Sequence, residues 1–198
     1  VDGALKTLAI THDDSFPNVG IYYYTVTEAA SGTAGVTTHS GNMLLKVTVS
    51  HDPTTGALKE TYAFYTQTEE NGKEKVTKNL AVENTYSAGS LTLTKEVKGE
   101  MRDEQKEFSF DVEFTAPEKK TVKSTITIIV AGDQEHPLTI APSDWVSGKV
   151  KKTVSLKAGQ SAIFKNVPYQ VTYEVVETGT DVNGKVGEYT VSYDNKKS

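Results

Sequence analysis

The 198-residue sequence contains no cysteine, so neither disulfides nor thiolate chemistry can contribute to its stability or its function. No apolar run approaches the roughly 18 residues of a membrane span. The opening residues, VDGALKTLAI, have the composition of neither a signal peptide nor a transit peptide. Basic clusters are missing as well. Lysines and arginines number 21 against 26 aspartates and glutamates, a formal charge of −5, which argues against nucleic acid and against an anionic membrane surface as partners. The histidines, His12, His39, His51 and His136, are scattered without zinc-site spacing and read as solvated. Asp13, Asp14 and the acidic loop residues lack the oxygen periodicity of a calcium loop. No glycine-rich phosphate loop, Gly-x-Ser-x-Gly elbow or HExxH motif occurs. Neither a metal nor a cofactor is therefore expected.

What the sequence has in abundance is strand pattern. Apolar and polar residues alternate with period two in IYYYTVTE (21–28), MLLKVTVS (43–50), LKETYAFYTQ (58–67), LAVENTY (80–86), SLTLTKEV (90–97) and EFSFDVEF (107–114). The same alternation returns in STITIIV (124–130), KKTVSLK (151–157), AIFKNV (162–167), VTYEVVE (171–177) and EYTVSY (188–193). Turn signals such as HDPTTG, ENGK, KAGQ and DVNGKVG separate these runs. No window holds a helical period, although IAPSDWVSG (140–148) suits one short helix or turn. Short strands at this spacing predict antiparallel β-sandwiches. The length suits two of them, and the small residues of SAGS (87–90) place the joint, giving domains 1–88 and 89–198. A weak internal echo relates the two: Tyr24-Thr25-Val26-Thr27-Glu28 against Tyr173-Glu174-Val175-Val176-Glu177.

Successive strand side chains point to opposite faces, so each polar residue can be tested for the company it keeps. Glu28 shares a face with Tyr22, Tyr24 and Val26, and Glu177 with Val171, Tyr173 and Val175. Asn84 shares one with Leu80, Val82 and Tyr86; Lys95 shares one with Leu91 and Leu93. All four are expected to face inward. Singly, each has an ordinary explanation: an edge lysine that guards against aggregation or snorkels to water, or an asparagine satisfied by backbone. Together they form a reactive set. A low dielectric disfavours both the ammonium and the carboxylate. An unprotonated amine beside a carboxamide can then attack its carbonyl carbon while an acid polarises the carbonyl and moves protons, and ammonia leaves. The product is a Lys–Asn isopeptide crosslink formed without a cofactor. A glycosidase pair of carboxylates is excluded, because Glu28 and Glu177 fall in different domains.

The stretches FPNVGIYYYTVTE (16–28), AVENTYSAGSLTLTKEVKG (81–99), KEFSFDVEF (106–114) and SLKAGQSAIFKNVPYQVTYEVVET (155–178) resemble the major pilins of Gram-positive pili, most closely the streptococcal T-antigen type. The resemblance implies an all-β chain of two tandem Ig-like, Cna B-type β-sandwich domains, each with an internal Lys–Asn isopeptide bond assisted by a glutamate. Carried over by position, Asn84 and Glu28 serve the first domain, and Lys95 and Glu177 the second. It also implies a structural, non-enzymatic shaft subunit, extracellular and cell-wall-anchored, whose partners are identical subunits, sortase, tip or basal minor pilins and host surface ligands. The lysine that sortase joins to the next subunit is expected in NGKEKVTKN (71–79), with Lys78 first and Lys75 second.

Departures from the family pattern generate further expectations. No strand bearing a reactive lysine precedes Asn84: Lys6 lies too near the FPNVGIYYY segment, and Lys46 alternates with Leu44 and Thr48 on a mixed face. The sequence stops at YDNKKS, where Asn195 is in phase with Tyr193 but sits where the family has a hairpin turn. Both domains are thus expected to lack a terminal strand. The lysine for Asn84 and the asparagine for Lys95 would lie outside the chain, and an added strand would fill the edge beside SLTLTK. The alternative function is an adhesin or surface-binding module on the same scaffold. Trp145 with Tyr22, Tyr23 and Tyr24 offers aromatic rings for a carbohydrate, although alternation puts Tyr22 and Tyr24 in a core.

Overall fold

Alternating β-branched and aromatic residues become strands in almost every stretch where the alternation occurs. The computed structural model describes residues 16–39, 41–70, 73–78, 82–100 and 102–194, with backbone only at 67–70 and 73–75. The strands of the first half are β1 (Gly20–Val26), β2 (Val36–Thr37), β3 (Met43–His51), β4 (Leu58–Glu70), β5 (Lys73–Lys78) and β6 (Thr85–Tyr86). There follow β7 (Ala88–Thr94), β8 (Phe108–Thr115), β9 (Ile126–Val130) and β10 (Leu138–Ile140). A 3-10 turn, Pro142–Asp144, precedes β11 (Lys149–Leu156), β12 (Ser161–Pro168) and β13 (Thr172–Glu177). The small hairpin of β14 (Lys185–Val186) and β15 (Tyr189–Thr190) comes last. Among the described residues there is no α-helix. These residues form two compact units, one of 16–30 and 37–85, the other of 31–36 and 86–194.

In the first unit β1, β3, β4 and β5 lie in that order in one antiparallel sheet. Met43, Leu45, Val47 and Val49 point to one face and are buried, while Lys46 falls on the opposite face. Tyr22 stands opposite Val47 and Val26 opposite Met43, and both pack into this core; Phe16 tilts against Tyr22 at 4.8 Å. Tyr24 shares the face but is 46% exposed, which corrects the expectation that it is buried; among the described residues β1 is an outer strand of its sheet. The β5 strand was not legible in the sequence, because KEKVTK is too charged to show alternation. It is placed by pairing with β4, from Tyr65 opposite Lys78 to Glu70 opposite Lys73, across the Asn-Gly turn signal at 71–72.

In the second unit the sheet β10-β9-β12-β7 packs face to face on the sheet β11-β8-β13, which makes a β-sandwich. Phe108, Phe110, Val112 and Phe114 descend from alternate positions of β8 into a core closed by Ile126, Ile128, Leu156 and Phe164. Phe114 and Phe164 meet at 5.5 Å between ring centroids. The segment 31–36 belongs here through Ala34, which is 1% exposed, and through the backbone bonds Ala34 N–H to Thr121 O and Thr121 N–H to Gly32 O. In β12 the register shifts between Lys165 and Val167, and Asn166 takes φ 64°, a left-handed conformation that asparagine tolerates. Its amide donates to Thr125 O at 2.9 Å, which ties the bulge down. Trp145 is half-buried against this core. Replacing Phe164, fully buried between the sheets, by alanine is expected to lower the unfolding free energy of the second unit by about 3–5 kcal/mol, measured by chemical denaturation.

On the outer face of the second sheet, Lys151 Nζ and Thr153 Oγ1 donate to the Asp111 carboxylate at 2.8 and 2.6 Å. Lys151 first and Thr153 second hold the Asp111 carboxyl below the usual range, and Asp111 raises Lys151. A carboxyl depressed on folding stabilises the protein above its unfolded pKa of about 3.9 and loses that contribution as pH falls through the folded value. The Lys151 contribution is lost at the other extreme, as pH rises through its folded value. Lys151→Ala is therefore expected to move the Asp111 titration upward towards about 3.9 in an NMR titration. An unchanged midpoint would contradict the assignment.

Candidate functional site

The outer strand β7 carries Leu91 opposite Phe164 and Leu93 opposite Ala162, which fixes both leucines to the core side. Lys95 lies one residue past the strand, but its N–H donates to Gln160 O at 2.9 Å and its carbonyl accepts from Gly159 N–H at 2.8 Å. The ladder therefore continues and the lysine stays in phase with the leucines. From the other sheet, Glu177 closes β13 opposite Phe110. Lys95 Nζ lies 2.9 and 3.0 Å from the two Glu177 carboxylate oxygens. The side chains are only 12% and 3% exposed. The ammonium also sits 4.0 Å from the Phe108 ring centroid and 5.6 Å from that of Phe110, a cation–π arrangement.

Groups absent from the sequence-based candidates complete this site. Glu177 N–H donates to the Tyr193 hydroxyl at 2.8 Å, and Thr180 Oγ1 donates to the Glu177 carbonyl at 2.7 Å. Tyr189 meets Phe108 edge-on at 5.5 Å, and Lys106 Nζ stands 4.6 Å from the Tyr189 ring. Phe108 and Phe110 carry a readable signal, the alternation of EFSFDVEF; EYTVSY alternates too, but Tyr193 reaches Glu177 from a stretch outside any strand, so alternation does not give that contact. Tyr173 keeps the inward phase, opposite Phe114, but is 53% exposed, since β13 is an outer strand of its sheet.

In the first unit Asn84 and Glu28 meet. Asn84 Nδ2 donates to Glu28 Oε1 at 2.7 Å, and Asn84 Oδ1 accepts the backbone N–H of His39 at 3.1 Å. Glu28 lies two residues past the end of β1 and is half-buried. Asn84 itself is exposed, which corrects the expectation that it faces a core. The reason is local: β6 spans only Thr85–Tyr86, so the strand phase of Tyr86 does not extend back to residue 84. His39 is half-buried instead of solvated. Glu28 Oε2 and His39 Nε2 are enclosed and have no hydrogen-bond partner among the described residues.

Lys78 is exposed at the end of β5. Lys75 lies in the same strand, opposite Thr68. Lys6 and Asn195 fall outside the described residues. Among the described residues, no group of acidic or histidine side chains is arranged to hold a metal ion. In the 198-residue chain, Glu177→Gln leaves a lysine charge enclosed by Phe108 and Phe110, which is expected to cost about 3–5 kcal/mol of second-unit stability. The double variant Lys95→Met with Glu177→Leu should cost less than that single change. Additive losses in a denaturation cycle would contradict strong coupling of the pair.

Comparison with known proteins puts this geometry in context. The model of a family described as a domain of unknown function, DUF7601, matches residues 89–198. A pilus tip adhesin, Cpa, of Streptococcus pyogenes is 30% identical over 100 residues, which is 48% of this chain and 13% of that protein. Among solved structures, the major pilin protein T3.2 from Streptococcus pyogenes superposes with a TM-score of 0.56 at 21% identity, over 85% of this chain and 55% of that one. Another major pilin from Streptococcus pyogenes gives a TM-score of 0.54 at 24% identity, over 83% and 56%. The chain thus spans about half the length of these solved pilins and a small part of the adhesin. By its match across residues 89–198 the chain belongs to the DUF7601 family, and its all-β fold is similar to that of the streptococcal major pilins.

Proposed function

We propose that the chain is part of a structural subunit of a sortase-assembled cell-surface pilus, stabilised within its domains by autocatalytic Lys–Asn isopeptide bonds. The observation that carries this is the Lys95–Glu177 pair, an amine bonded to both oxygens of a nearly inaccessible carboxylate against two phenylalanine rings. An isolated pair of this kind contributes little net stability, because desolvation offsets the attraction. It does prepare a nucleophile. Once Glu177 holds the proton, the unprotonated Lys95 amine attacks the side-chain carbonyl of an asparagine on a strand entering beside β7 or β13. A C–N bond forms, the original carboxamide C–N bond breaks, Glu177 returns the proton to the departing nitrogen, and ammonia leaves. Holding the reactants in one enclosed place lowers the entropic part of the barrier.

In the first unit, Asn84 and Glu28 play the corresponding parts, with the amine supplied by a lysine not yet assigned. Exposure of Lys78 on β5 supports it as the acceptor that sortase joins to the next identical subunit, with Lys75 as second choice. The subunit would act outside the cell, anchored to the wall through the polymer, with tip or basal minor pilins as further partners. The 30% identity to a pilus tip adhesin supports a second reading, a surface-binding module on the same scaffold that binds host ligands. The two differ at Lys78: a shaft subunit requires a joined lysine and an adhesin module does not.

Each isopeptide bond removes one ammonia from the intact mass. The full-length protein is expected to show that loss and Glu177→Ala to lack the share due to Lys95; a Glu177→Ala protein with the full loss would remove Glu177 from the mechanism. Peptide mapping of native polymers is expected to find the intersubunit branch at Lys78 or Lys75. A branch elsewhere would overturn that assignment.

A further inference from the structure

The Asn84 carboxamide is held at both ends, and its two partners fix its orientation. A backbone N–H can only donate, so the atom facing His39 N at 3.1 Å must be the oxygen, and the atom 2.7 Å from Glu28 Oε1 is then the nitrogen. Glu28 therefore touches the nitrogen that leaves, not the carbonyl oxygen on which negative charge develops.

We propose that the backbone N–H of His39 is the catalytic oxyanion donor for crosslinking at Asn84, and that Glu28 serves the leaving nitrogen. The proposal rests on the reading that Asn84 forms an isopeptide bond. A lysine ε-amine bonds to Asn84 Cγ, the carbonyl π pair moves to Oδ1, and His39 N–H stabilises that oxyanion. A proton from the amine passes to Glu28, whose Oε2 is enclosed and has no partner among the described residues. Glu28 delivers a proton to Nδ2, the Cγ–Nδ2 bond breaks, and ammonia departs with the carbonyl restored. One C–N bond forms and one breaks, so atoms and charge balance. A fixed N–H at this position costs no reorganisation during the reaction, which is why such donors contribute strongly. The first unit thus divides its labour between a backbone donor and a carboxylate.

The test compares two full-length proteins made by ligation, both with alanine in place of His39, one with the ordinary amide at that residue and the other with an ester. The imidazole is absent from each, so only the N–H differs. The time course of ammonia loss at Asn84, followed by peptide mass spectrometry, is expected to be on the order of 100-fold slower in the ester protein. Equal rates would overturn the proposal while leaving crosslinking intact. An Asn84 with no crosslink in the amide protein would overturn the underlying reading and the proposal with it. If the ester protein fails to fold, hydrogen exchange decides: His39 N–H should be protected in the unreacted protein and lose protection in Asn84→Ala. Equal exchange in the two would overturn the proposal.

Discussion

The arrangement in the second unit depends on one electrostatic constraint, an amine and a carboxylate that can be kept out of water only by each other. Lys95 and Glu177 come from strands that end different sheets, separated by 82 positions in sequence. Neither could remain at 12% and 3% exposure without the other, because an unpaired charge there would have no compensating partner. The leucines of β7 and the register of β13 against β8 fix where the two groups arrive. The Phe108 and Phe110 rings then pack against the amine.

The two candidate sites solve the problem of positioning in different ways. In the second unit the Lys95 amine extends from the sheet framework and lies against a carboxylate and two aromatic rings. In the first, the Asn84 carboxamide is exposed and lies just outside a two-residue strand, and hydrogen bonds rather than packing hold it in place. Packing excludes water but tolerates small errors of angle; a pair of directional bonds fixes the angle and leaves the carboxamide open to solvent. Both routes bring a carboxylate into contact with a group able to join an isopeptide bond.

Much of this was legible in the sequence, for a physical reason. Period-two alternation reports which strand residues share a face, so it places Lys95 beside Leu91 and Leu93, and Glu177 beside Val175. Alternation misleads where the backbone is not a paired strand. LAVENTY alternates and so predicts Asn84 in a core, yet 82–84 is irregular and, among the described residues of that stretch, only Thr85–Tyr86 pairs. Tyr24 and Tyr173 keep the right phase but lie on outer strands, where facing inward does not guarantee cover. The β5 strand was hidden by its charges, and the partnership of His39 with Asn84 spans 45 positions that no local pattern connects.

The central claim is that Lys95 is buried in order to be acylated. Peptide mass spectrometry on the proteolysed full-length protein tests it most directly. The account predicts that Lys95 is recovered only in a branched peptide, joined to an asparagine side chain with the loss of one ammonia. Recovery of Lys95 in an ordinary linear peptide with a free amine would contradict it.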